Sequence, residues 1–337
     1  MAGLVCAARA RELGLRSRVI EKGTRPGGSM LLSSCVVWRH VEWEDFRAEC
    51  PYGDEALQRL IWERLDDGLA WLVALGAEPV WEDTPNWRTT GKRFDPRALT
   101  RLLACDVDLD TPLPDDVEVP VVLATGGWGK ALAERDGLLL RANPWSDGGG
   151  IAYGTARGAD ISRGWGEFYG RAMPAPPAQI REEDFVPLSQ LYGTWARVYT
   201  EAGREITPSS VAWHESDLAQ RIGSRAWFVL GDDGLAHAQE RVDAARAAGG
   251  TVIDPADLPF ETPPGSRVAV HVAAAVTHTL GGLRVDTRAR VLAEGGSLID
   301  GLYAAGVDAG GVAAGGYASG LAQALVLGLA AAEDLAG

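Results

Sequence analysis

Residues 1–23, MAGLVCAARARELGLRSRVIEKG, decide how the rest of the chain is read. Ala2 to Leu13 is rich in strong helix formers and has no proline, and Gly14 stands where a helix C-cap is expected. Ser17-Arg18-Val19-Ile20-Glu21 then reads as a short strand ending in a carboxylate. Helix, glycine, strand and acid in that order form the second half of a βαβ nucleotide-binding unit. In such a unit a glycine-rich turn brings the backbone against a pyrophosphate, and an acid about 20 residues on bonds a ribose hydroxyl. Gly3 fits the last glycine of that turn, and Glu21 fits the acid. The first strand and the first G-x-G of the unit are missing from the sequence. A start assigned too late, or a genuine truncation, is the expected cause. The chain as it stands is expected to hold a nucleotide cofactor poorly.

Working outward, glycine loops recur beside strands and helix starts. Lys22 to Ser34, KGTRPGGSMLLSS, combines Gly27-Gly28 with three serines. Pro120 to Trp128 reads as a buried strand running into Gly126-Gly127. Asp147-Gly-Gly-Gly-Ile151 precedes a helix, and Thr277-His-Thr-Leu-Gly-Gly282 follows an apolar strand at Val268–Val276. The chain closes on a strand, a glycine-dense loop and a long apolar helix, GLYAAGVDAGGVAAGGYASGLAQALVLG. Between about 166 and 269 the composition shifts to prolines, aromatics and charges, which marks an inserted lobe. The expected division is 1–165 with 270–337, interrupted by 166–269.

Composition narrows the function. The 337 residues are 46% hydrophobic, enough for a sizeable core, and carry a net charge of -14, which repels nucleic acid and anionic membranes. The four cysteines, at 6, 35, 50 and 105, show no C-x-x-C spacing, so a metal motif is not expected and reduced thiols in the cytoplasm are. No apolar run reaches the roughly 18 residues of a membrane span.

These motifs, in this order, resemble the FAD-dependent oxidoreductases of the fumarate reductase, succinate dehydrogenase flavoprotein and 3-ketosteroid dehydrogenase family. The resemblance spans nearly the whole chain. It implies an α/β fold: a Rossmann-like FAD-binding domain, lacking its first strand, with an inserted α+β substrate-capping domain. It implies that Gly3, Glu21 and Lys22 border the pyrophosphate and adenosine ribose. Gly27, Gly28, Ser29, Ser33 and Ser34 would line the ribityl chain and flavin. Thr125, Gly126 and Gly127 would sit near the adenine-side phosphates, and Gly306, Asp308, Ser319, Gly320 and Leu321 would approach the flavin from the last helix. The loop where covalent members carry a histidine has none here, so FAD is expected to be non-covalent.

The implied chemistry moves a hydride between the flavin and a carbon next to a carbonyl or carboxylate, while another group handles a proton. His278 matches the family's substrate-binding histidine in H-T-x-G-G. Tyr317, in Gly315-Gly-Tyr-Ala-Ser-Gly320, resembles the tyrosine of the steroid dehydrogenases; a tyrosine simply packed under the helix is the equal alternative. Gly203-Arg204-Glu205 resembles the start of the fumarate reductases' proton-donor segment. Downstream of it stands Trp213-His214-Glu215 in place of the expected arginine. His214 is a donor candidate, with a surface histidine as the bland reading, and Arg171 is a candidate for a substrate anion. The family's carboxylate-gripping arginine is absent from the last loop, which favours a ketone or enone over a dicarboxylate. The alternatives are a flavin-poor homologue without activity, a fumarate reductase-like dicarboxylate enzyme, and a flavoprotein subunit needing a separate electron partner. NAD as cofactor would leave the GGS…LSS loop and the last helix without a role.

Overall fold

The computed structural model describes residues 1–208 and 214–337; the side chain of His214 lies outside the described residues. The chain divides into two compact units, 1–131 with 142–167 and 278–337, and 132–141 with 168–277.

In the first unit α1 (Ala2–Glu12) ends in a Schellman arrangement. The Leu15 N–H donates to the Ala10 carbonyl and the Gly14 N–H to Arg11, with Gly14 at φ +80°. Strand β1 (Val19–Ile20) follows, then the one-turn helix α2 (Gly28–Leu31). Strand β2 (Val36–His40), helices α3 (Trp43–Glu49) and α4 (Glu55–Ala74), and strands β3 (Pro79–Trp81) and β4 (Thr89–Phe94) come next. Leu57, Ile61, Leu65, Leu69 and Leu72 recur at helical spacing and are buried along α4, whose N-cap Asp54 accepts from the Leu57 N–H. Strands β2, β4 and β3 form a small antiparallel sheet. Helix α5 (Pro96–Leu103) and strands β5 (Val107–Asp108) and β6 (Val121–Leu123) complete the first segment.

The parallel sheet is in two pieces. Among the described residues β1 pairs with β5 alone, Val19 opposite Val107. Strand β6 pairs with β15 (Leu298–Ala304) alone, Val122 opposite Tyr303, and β14 (Arg290–Leu292) flanks β15 on its other side. Helix α10 (Gly320–Ala336) buries ten residues and packs on α1 so closely that a Cβ at Gly328 would stand 2.8 Å from the Ala2 carbonyl oxygen. Short α7 (Gly149–Thr155) leads out of the Asp147–Gly150 loop.

The second unit is built on β13 (Ser266–Thr279), whose residues 268–276 are all buried, as expected of a central strand. Its last two residues, His278 and Thr279, belong to the first unit. Around β13 lie β7 (Leu139–Leu140), β8 (Phe168–Pro174), β11 (Ala226–Gly231) and β12 (Val252–Ile253). The hairpin β9 (Arg197–Thr200) and β10 (Glu205–Ile206) extends the sheet beyond β11. Helices α8 (His214–Ile222) and α9 (Asp232–Ala247) accompany it; α6 (Gly129–Asp136) runs from one unit's residues into the other's. No helix of the described residues is long and apolar enough to cross a membrane.

Candidate active site

The loops that the sequence marks with glycine interlock in the first unit, and Asp308 is their centre. This carboxylate is fully buried. It accepts the backbone N–H of Thr125, the N–H of Gly126 at 3.0 Å and the Thr125 hydroxyl at 2.8 Å. Burial pushes its pKa up against the pull of those donors. Asp308 therefore shapes the turn after β6 with its own side chain. The sequence reading places Asp308 near the flavin; in the structure its carboxylate oxygens are engaged by the turn after β6.

Close backbone contact explains several of the other glycines. A Cβ at Gly310 would fall onto the Gly282 backbone nitrogen, and one at Gly282 would stand 2.6 Å from the Asp308 carbonyl oxygen. At Gly150 it would meet the Thr125 hydroxyl at 2.5 Å. Gly127, at φ +73°, is closed in by Val307 and by the Thr279 hydroxyl. Gly3 and Gly306 seat the start of α1: their Cβ positions lie 3.2 Å from Ala124 and 3.0 Å from Ala2. Gly126 and Gly28 differ. Both have positive φ, yet their nearest neighbours would be 3.5 and 3.4 Å away, at Ser146 and Asn143. Those two offer backbone that a ligand can approach.

The 22–34 loop is similarly divided. One Glu21 oxygen accepts the Gly23 N–H at 2.8 Å, and Lys22 is ion-paired with Asp147. Burial opposes ionisation of Asp147, but the Lys22 bond holds its carboxyl below the ordinary range. Gly27, at φ +105°, caps α2. Ser29 accepts the Asn143 N–H at 3.0 Å and keeps its own proton to donate. Ser33 donates to Met30 and accepts from Cys35, so its hydroxyl is spent within the loop. Ser34 is half-buried and its carbonyl accepts from Arg93.

At the other end of the site Ser319 caps α10, accepting the Ala322 N–H at 3.2 Å. The His278 ring lies against the helix start: a Cβ on Gly320 would stand 2.9 Å from the imidazole Cε1. Burial lowers the His278 pKa to about 4, so the ring is neutral at physiological pH. Tyr317 is 8% exposed and packs against Trp38, with ring centroids 5.5 Å apart. Leu321 is half-buried in the first turn. Motif reading passed over Thr279. Its hydroxyl is buried without a hydrogen-bond partner among the described residues, one residue after His278 and on the opposite face of β13. Its place inside the quoted THTLGG motif was the available signal.

The lobe residues sit apart from this constellation in the chain, in the second unit. Arg204 is exposed on the β9–β10 turn, where its carbonyl accepts from Thr200. Arg171, on β8, reaches the Ser216 hydroxyl at 3.4 Å.

The FAD binding domain family matches residues 118–321, and a second family, the NAD(P)-binding Rossmann-like domain, matches residues 1–39. The chain belongs to the FAD binding domain family. Solved structures share its fold. A 3-ketosteroid Δ1-dehydrogenase from Sterolibacterium denitrificans superposes with a TM-score of 0.74 at 15% identity, over 99% of this chain and 97% of that one. A 3-ketosteroid Δ4-(5α)-dehydrogenase from Rhodococcus jostii RHA1 gives 0.65 at 19% identity, over 100% and 95%. A flavocytochrome c3 fumarate reductase in its open conformation gives 0.69 at 19% identity, over 99% and 76%. No curated protein matches in sequence.

FAD is the cofactor this family binds, and the residues here fit it. Approachable backbone at Gly28 and Gly126, the free proton of Ser29, the first turn of α10 and the unsatisfied Thr279 hydroxyl form a donor-rich, uncharged set. Such a set suits phosphate and carbonyl oxygens.

Proposed function

We propose that the protein is an FAD-dependent dehydrogenase or reductase acting on a C–C bond next to a carbonyl, with ketones or enones preferred over dicarboxylates. One observation carries this reading: a neutral His278 imidazole held against Gly320 at the start of α10, with Tyr317 three residues before it. Bound FAD supplies the hydride donor or acceptor. The chain's own residues supply the rest. A neutral imidazole donates one N–H to a carbonyl oxygen, and the N-terminal dipole of α10 favours negative charge growing there. Tyr317 has a phenol able to polarise a ketone. The Gly315–Gly320 loop carries no cation to hold a carboxylate. The second unit serves as the substrate cap in this reading, with Arg171 and His214 as its candidate polar groups and Arg204 disfavoured by its exposure. FAD is held non-covalently.

The test is direct. The chain is incubated with FAD, desalted, reduced anaerobically, and mixed with 1,4-androstadiene-3,17-dione or with fumarate. Flavin reoxidation by the dienone and not by fumarate supports the reading. Reoxidation by fumarate alone, or by neither while flavin is retained, overturns it.

A further inference from the structure

The loop Gly164–Glu167 carries an exposed tryptophan between the two motifs that the proposed reaction uses. The Leu280 N–H donates to the Glu167 carbonyl at 3.0 Å, and the Gly315 N–H to Glu167 Oε2 at 2.7 Å. Gly281 backs directly onto the loop: a Cβ there would stand 2.6 Å from the Trp165 nitrogen. The Trp165 backbone thus lies against Gly281, and its loop is tied through Glu167 to both the His278–Gly282 and the Gly315–Gly320 loops. Its ring stacks on Trp128, centroids 4.4 Å apart and planes 20° from parallel. Trp128 is buried and follows the Gly126-Gly127 turn. Trp165 leaves 48% of its surface in solvent. Other exposed tryptophans have polar companions: Trp81 and Trp87 lie under Arg93 and Arg88, and Trp195 stacks on His237. Trp165 is instead backed by a second indole.

We infer that Trp165 is a specificity-determining residue, a platform on which the flat, uncharged ring system of a cyclic enone stacks. The inference rests on the proposed function and narrows its substrate class. A broad indole face rewards a ring and gives little to a small acyclic molecule. The net charge of -14 and the cation-free Gly315–Gly320 loop disfavour a dianion at the same rim.

The experiment uses FAD-loaded protein, Trp165→Ala and Trp165→Phe. Substrates are a four-ring enone, 4-androstene-3,17-dione or its 1,4-diene, and an acyclic enone, 3-penten-2-one. Trp165→Ala is expected to raise KM for the steroid about tenfold while kcat and the KM of the acyclic enone stay within twofold. Trp165→Phe should restore most of the loss. Steroid titration followed by tryptophan fluorescence gives a readout independent of turnover, and should lose the same tenfold in Trp165→Ala. An unchanged steroid KM and affinity overturns the inference, as does a fall in FAD affinity that accounts for the whole effect. An inactive parent chain that still binds steroid through Trp165 would sink the proposed function and leave this inference standing. A parent that neither turns over nor binds steroid sinks both.

Discussion

Two carboxylates, Asp308 fully buried and Glu215 half-buried, show how differently the two units use charge. In the first unit Asp308 sits among backbone N–H donors and the Thr125 hydroxyl, and its loops close around it. In the second, Glu215 accepts one bond, from the Gly193 N–H at 2.7 Å, while its other oxygen is buried with no hydrogen-bond partner among the described residues. Burial raises the pKa of both. Asp308 is a satisfied structural pin. Glu215 is an incompletely satisfied one, with a buried oxygen that no donor among the described residues serves.

The largest effects should come from first-unit glycines packed directly against neighbouring backbone. Gly310→Ala drives a methyl group into the Gly282 backbone, and Gly316→Ala drives one into the Glu49 carbonyl. Neither neighbour is the end of a flexible side chain. Each variant is expected to lose about 3 kcal/mol or more in urea unfolding. Gly126→Ala meets nothing closer than 3.5 Å and bears only its φ of +94°. It should lose about 1 kcal/mol, yet weaken FAD binding measured by flavin fluorescence. If Gly126→Ala proves as unstable as Gly310→Ala, the distinction between packed and ligand-facing glycines fails. Next in size is Asp308→Asn, which turns an amide NH2 or a weaker acceptor toward the Thr125 and Gly126 N–H groups. About 2 kcal/mol of stability should go with it, and the FAD affinity should drop through distortion of the turn. Asp308→Asn with unchanged stability would show that the carboxylate is not the pin.

This contrast also marks what the sequence could say. Glycine is informative because few backbone positions demand it, so the turns at Gly126-Gly127 and Gly281-Gly282 and the Schellman glycine Gly14 were legible. The reason for each glycine was not. Gly28 and Gly310 look alike in a string, and only the packing shows that a Cβ would meet a side chain at ordinary contact distance at the first and run into a neighbouring backbone at the second. Asp308 was legible as a site residue, but not that its oxygens face inward. Ser29 and Ser33 were read as equals, yet local hydrogen bonding leaves only the first with a proton to give. The periodicity of α4 and the apolar run of β13 were plain because burial writes itself into composition. The cluster of Glu215, Arg171 and Arg241 was not, because residues 171, 215 and 241 meet only through β8, α8 and α9, and charged residues read by default as surface.

The smallest predicted effect, and one of opposite sign, belongs to Glu215. The groups facing it are the Arg171 guanidinium from β8, that of Arg241 from α9, the Tyr192 phenol and the Gly193 N–H. Desolvation outweighs the two cations and raises the carboxyl above its ordinary value. A group whose folded pKa is raised contributes stability at pH values below its unfolded pKa and loses it as pH climbs through the folded one. The wild-type protein should therefore lose stability through this residue as pH rises above the ordinary glutamate range. Glu215→Gln keeps the acceptor for Gly193 and cannot ionise. Melting temperatures of the two should converge at low pH and separate as pH rises, with the glutamine variant higher. A gap that does not change with pH would mean that the two guanidiniums already hold Glu215 ionised throughout. The second unit would then be as well satisfied as the first, and the contrast between the two carboxylates would vanish.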